Sequence, residues 1–363
     1  ALHGVVGKDG ICYPQSIALA ASFDTTLMQN VAKAIALESQ QRGWRQVLSP
    51  VVNIATDVRW GRVEETYGED PYLTSAMGAA FVRPFEQLGI ITTPKHFVAN
   101  VGDGGRDSYP VHLDEAHLKN VHFPPFQACI NAGSRSIMSS YNSLNGQPCS
   151  MNSELLNVVL KDHWKFQGFV ISDAGAVGGA NVLHNTSPDY PHSGRMAIEN
   201  GLDVIFQTSI RHDVLFKSPF VDGAVRQSAV DSAVARVLRA KFELGLFENP
   251  YASFQELNKV PFQELSRQAA EQSMVLLKNE RMVCPIAVSG KKILVVGEEA
   301  KLCRLGGYSG TGLDPISYWD GMQKQWKGEA ELIYHPGWNE QAKWEDWNPG
   351  WDLKWWNDLD AKG

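Results

Sequence analysis

At 363 residues the chain is too long for one small module and, at ~150 residues per domain, implies about two. Forty-four per cent apolar and 20% charged residues exclude a disordered polymer and supply ample core. A net charge of −7, from 33 basic against 40 acidic side chains, removes any electrostatic case for nucleic-acid or membrane-surface partners.

No apolar run approaches the ~20 residues that span a bilayer. The chain starts at Ala1 without a methionine, so the lack of a leader says nothing about compartment. Five cysteines (Cys12, Cys129, Cys149, Cys284, Cys303) are odd in number, widely spaced and without C-x-x-C. They exclude a zinc ribbon or a disulfide-dense miniprotein and read as buried thiols, with one or two disulfides left open.

Five β-branched or apolar runs read as strands: residues 46–53, 90–96, 136–141, 169–173 and 202–206. They begin 44, 46, 33 and 33 residues apart, with helical patterns between them such as Leu27, Val31 and Ile35 on one stripe and the stretch 155–163. That spacing suits strand-helix-strand units and a parallel sheet. Each run turns polar at its carboxyl end, at Asn53, Lys95-His96, Tyr141-Asn142, Asp173 and Gln207. A buried parallel strand should stay apolar, and polar residues gathered at those ends mark the active face of a (β/α) barrel or the ligand edge of an open doubly wound sheet. Five units are fewer than eight, so the expected fold class is α/β, a (β/α) barrel incomplete at its N-terminal side. A helix over about 228–246 closes this part, ended by Gly245 and Pro250. A linker and a helix over 262–278 follow, and the run 292–297 opens the start of an α/β sandwich domain. The expected division is a catalytic domain over 1–248, a linker and connecting helix over 249–290, and a partial second domain over 291–363. The last 26 residues hold six of the eleven tryptophans, Trp338, Trp344, Trp347, Trp351, Trp355 and Trp356, a pattern that fits either sugar stacking or ordinary packing.

Asp173 stands out, because a carboxylate ending a buried strand must be hydrogen-bonded, paired or used; its bland role is to cap the next helix. Lys95 and His96 share another strand end, where a lysine can donate to hydroxyls, form a Schiff base or pair with a carboxylate. Arg62 lies in a loop crowded with charges and aromatics, and its fork suits vicinal hydroxyls or a salt bridge. The Gly-rich stretches 102–106 and 306–312 match neither a P-loop nor a dinucleotide fingerprint and read as turns or loops that allow close approach of a neutral ligand. No HExxH, EF-hand or Cys/His cluster is present, so neither a metal nor a cofactor is expected.

The segments Gly61-Arg62-Val63-Glu64-Glu65-Thr66-Tyr67-Gly68-Glu69-Asp70-Pro71-Tyr72, Thr93-Pro94-Lys95-His96-Phe97, Ser140-Tyr141-Asn142, Gly168-Phe169-Val170-Ile171-Ser172-Asp173 and Arg236-Val237-Leu238-Arg239-Ala240-Lys241-Phe242 together resemble glycoside hydrolase family 3, in its order and at similar spacing. So do the runs 12–21 and 269–279, and the likeness covers about residues 1–310. It implies a β-glucosidase-like exo-enzyme acting on β-linked oligosaccharides or glucosides, with the active site between a barrel and an α/β sandwich. By that resemblance Asp173 is the nucleophile of a retaining mechanism, and Arg62, Lys95, His96 and Tyr141 bind the terminal sugar. The family's acid/base glutamate lies well inside the second domain; no matching motif precedes Gly363, so the acid/base is unassigned. Glu64, Glu65 and Glu69 read as structural. Ala174 replaces the tryptophan that many members carry after the nucleophile, which keeps β-xylosides open as substrates. Asp107-Ser108-Tyr109 departs from the Asp-Ser-His loop of the N-acetylhexosaminidase branch. The resemblance implies a periplasmic or secreted setting, and a homo-oligomer is left open. Two other classes compete: a barrel lyase using Lys95 as a Schiff base, and a non-catalytic sugar-binding protein.

Overall fold

The computed structural model describes residues 2–7, 9–101, 109–251 and 257–337. They form two compact units, one running to Val275 and including Leu305–Leu313, the other holding Leu276–Arg304 and the chain from Asp314 onward. The Trp-rich tail, residues 102–106 and the pair Asp107-Ser108 lie outside the described residues.

The first unit is α/β; its central strands pair in parallel and in chain order, and a short antiparallel hairpin, Ser143–Leu144 with Gln147–Pro148, lies beside them. Gln46–Val47 pairs with Ile91–Thr92, and Ser136–Ser139 with Phe169–Ser172. Single bridges extend the series from Val51 to Lys95, from Phe97 to Ser139 and from Ile171 to Val204. Every residue of the two four-residue strands is buried, as a sheet covered on both faces requires. The fifth expected strand is reduced to the bridge at Val204. Side chains take over its ladder there: Asp203 accepts the Val170 N–H at 2.7 Å, and the Ser172 hydroxyl accepts the Phe206 N–H at 2.9 Å.

Helices link these strands. Pro71–Gln87 starts where the Asp70 carboxylate accepts the Leu73 N–H at 2.6 Å and proline occupies the first turn. It buries Met77, Phe81 and Phe85. Gly78 brings this helix close, since a Cβ there would lie 2.9 Å from Val52 Cγ1 and 3.0 Å from Cys129 Sγ. The stretch Glu154–His163 is helical with π-type bonding, and Gln227–Glu243 is the long closing helix. The helix expected to connect the domains spans Val260–Gln272 and belongs to the first unit, where Lys259 bonds the Asp9 carbonyl and stands 3.4 Å from the buried Glu38. It ends short of 278, because the Ser273 hydroxyl turns back onto the Ala269 carbonyl at 2.7 Å and Met274, Val275, Leu276 and Leu277 are exposed. No disulfide joins the described cysteines, and burial pushes the Cys149 thiol up to about 12.

In the second unit Lys292–Val296 pairs in parallel with Glu331–His335. The helix Tyr318–Gln325 lies between them in sequence and starts with a capping box of Ser317 and Asp320.

Candidate active site

The parallel order brings the polar strand ends to one edge of the sheet. Asp173 follows Phe169–Ser172 and is 8% exposed. Its Oδ1 accepts the Ala174 N–H at 2.7 Å, and its Oδ2 stands 3.4 Å from His96 Nε2. The capping role does not hold: Gly175, at φ +77°, is the N-cap of Ala176–Val182, with no side-chain bond. Burial lifts the Asp173 carboxyl above its ordinary value, opposed by the Ala174 N–H, the positive Lys95 and Arg62, and a hydrogen bond with Tyr141.

His96 is fully buried and clamped by Asn53. Asn53 Oδ1 accepts the His96 backbone N–H at 2.8 Å and faces Nδ1 at 2.9 Å, while Asn53 Nδ2 donates to the His96 carbonyl. That bonding pattern assigns the ring proton to Nδ1 and turns Nε2 toward Asp173. Lys95 is 6% exposed, so the plain surface-lysine reading fails. Its backbone bonds in both directions to the carboxyl end of the neighbouring run, donating to Pro50 at 3.0 Å and accepting from Val52 at 2.9 Å. Burial, and then the nearby Arg62, lower its ammonium pKa to about 8, with Asp173 and Glu65 pulling the other way.

Arg62 is 2% exposed and forms a two-pronged pair with Glu65, at 2.7 and 3.0 Å. Glu65 is thus a structural partner, as expected. The Tyr141 hydroxyl donates to the Ala174 carbonyl at 2.9 Å, and the Tyr141 carbonyl faces His184 Nε2 at 2.8 Å. All five expected site residues therefore converge. Two contributors have no role assigned by the sequence: Asn53, which reads only as a polar strand end, and Tyr308, which lies in the Gly-rich stretch 306–312. The Tyr308 ring centroid lies 5.1 Å from Lys95 Nζ and 5.9 Å from Arg62 Cζ.

Buried cations and carboxylates thus gather at the carboxyl ends of sequential parallel strands in an α/β unit, the edge at which folds of this class carry their ligand sites. The profile of the glycosyl hydrolase family 3 N-terminal domain matches residues 1–240, and the chain belongs to that family. Over 93% of its length it is 32% identical to a periplasmic β-glucosidase of Salmonella typhimurium, covering 46% of that protein. Over 90% it is 32% identical to a β-xylosidase of Formosa agariphila, covering 49% of it. Among solved structures, a β-glucosidase of Erythrobacter marinus superposes with a TM-score of 0.86 at 34% identity, covering 92% of this chain and 46% of that one. The Listeria innocua β-glucosidase in complex with glucose gives 0.84 at 30% identity, covering 94% and 48%. The chain spans about half the length of the relatives it matches. No helix among the described residues is long and apolar enough to cross a membrane.

Proposed function

We propose that this chain carries the catalytic (β/α) barrel of a retaining, exo-acting glycoside hydrolase that releases terminal β-linked glucose. The barrel occupies 1–248, residues 249–290 connect, and 291–363 open a second α/β domain. The observation that carries the reading is the Asp173 carboxylate, with one oxygen anchored by a backbone N–H and the other facing His96 beside two buried cations.

Asp173 Oδ2 attacks the anomeric carbon as the glycosidic bond to the leaving oxygen breaks, giving a glycosyl-enzyme that water then cleaves at the same carbon. A second carboxyl, ~5–5.5 Å away in enzymes of this type, protonates the leaving oxygen; none is assigned here. Lys95 and Arg62 donate to sugar hydroxyls and favour the ionised nucleophile against its burial, and Tyr141 steadies the turn after it. The name of the Salmonella relative supports a periplasmic or secreted setting.

Ala174 and the Formosa relative favour a second reading, a β-xylosidase with the same machinery. The lowered Lys95 pKa also suits a Schiff-base lysine, but a glycosidase shows no borohydride trapping with carbonyl substrates, and trapping on Lys95 would favour a lyase. Turnover of 4-nitrophenyl β-glucoside against the β-xyloside tests the assignment. Faster glucoside hydrolysis supports it, faster xyloside hydrolysis replaces it with the second reading, and tight glucose binding without hydrolysis by the whole protein would leave only sugar binding.

A further inference from the structure

The loop Leu305–Leu313 belongs to the first compact unit although about thirty residues of the other unit precede it. It is fastened at both ends. Gln15 Nε2 donates to the Leu305 carbonyl at 3.1 Å, the Gly307 N–H donates to Glu64 Oε1 at 2.8 Å, and the Leu313 N–H donates to the Gly10 carbonyl at 3.0 Å. Ser309 Oγ lies 2.9 Å from His3 Nε2. Its glycines permit this close approach: a Cβ on Gly307 would stand 2.9 Å from Glu64 Oε1, and one on Gly310 would stand 2.5 Å from the backbone N and O of Gly7. Within this frame Tyr308 is held at φ +55°, a region that bulky residues rarely occupy. Such outliers persist only where the surroundings over-determine them, and they cluster at functional sites. Tyr308 is 51% exposed, yet its ring is applied to two of the most deeply buried cations of the fold.

We propose that Tyr308 is a positioning residue of the sugar site: its ring caps Lys95 and Arg62, shielding them from bulk water and holding them toward the sugar. This rests on the reading of Lys95 and Arg62 as hydroxyl-binding groups. An aromatic face attracts a cation through its quadrupole while excluding water from it. The charged and titratable groups facing Lys95 are Arg62, Glu65 and Asp173, with His96 adjacent and Tyr308 above. Burial is the largest influence on Lys95, so removing the ring admits water and lets its pKa rise from about 8 toward the ordinary lysine value.

The test compares Tyr308→Ala and Tyr308→Phe in the full chain. Tyr308→Ala is expected to raise KM for the preferred aryl β-glycoside about tenfold while kcat changes less than about threefold. Tyr308→Phe behaves as wild type because the ring, not the hydroxyl, forms the cap. A ¹³C titration of the Lys95 Cε gives a second readout that needs no turnover, with its midpoint higher in Tyr308→Ala than in wild type. An unchanged KM and an unchanged Lys95 midpoint in Tyr308→Ala overturn the proposal, as does a Tyr308→Phe enzyme as impaired as the alanine variant. A wild-type protein that hydrolyses no β-glycoside defeats the glycosidase reading instead, and the Lys95 titration still decides whether the ring caps it.

Discussion

Two opposed influences act on Asp173: burial favours its protonated form, and Lys95, Arg62 and neighbouring hydrogen-bond donors favour the carboxylate. The signs set the pH profile. In the proposed mechanism attack requires Asp173 ionised, so activity is expected to fall as pH drops through its raised pKa. In the same proposed mechanism Lys95 donates as the ammonium, which it loses as pH rises through about 8. The kcat/KM profile is therefore expected to be narrow, its acid limb above the ordinary carboxylate range and its alkaline limb no higher than about 8, since the acid that protonates the leaving oxygen must also keep its proton. Lys95→Met removes a charge that helps keep Asp173 ionised, so the acid limb should move further up; an acid limb that stays in place separates the two groups. Asn53→Ala is expected to lower kcat ~10-to-100-fold with the fold retained, since it frees the His96 ring that faces Asp173, the proposed nucleophile. Unchanged kcat would make Asn53 a purely structural clamp.

The strands and helices were legible to different degrees. Runs at 136–141 and 169–173 announced themselves by β-branched and apolar residues, and both form paired strands. The run 202–206 had the same texture and makes a single bridge, because the Asp203 carboxylate and the Ser172 hydroxyl occupy backbone donors that a ladder would use. Periodicity cannot report such a substitution; it depends on which side chains the fold sets opposite each N–H. Asp203 also stands 3.4 Å from Lys161, with both side chains largely buried. Asp203→Ala leaves that lysine and the Val170 N–H without it, and unfolding in urea should show a loss of about 3 kcal/mol. Gly78→Leu overpacks the contact with Val52 and Cys129 and should cost ~1–3 kcal/mol. A loss below about 0.5 kcal/mol in either variant would contradict the local account.

Across the molecule, the site was readable wherever chemistry clashed with position. Asp173, Lys95 and His96 are polar where a buried strand should be apolar, and that contradiction is visible in one dimension. Asn53 and Glu65 could not be assigned roles so directly, because their partners become apparent only when two strand ends meet and a short turn folds back. Tyr308 was the least visible: more than 200 residues separate it from Lys95, and only the docking of a glycine loop joins them. The central claim of covalent catalysis at Asp173 is tested most directly by incubating the protein with a 2-deoxy-2-fluoro-β-glucosyl fluoride and mapping the adduct by peptide mass spectrometry. The account predicts one fluoroglucosyl group per chain, on the peptide containing Asp173, and no adduct after Asp173→Asn. Labelling of another carboxylate, or an Asp173→Asn protein that still hydrolyses glycosides at the wild-type rate, would contradict it.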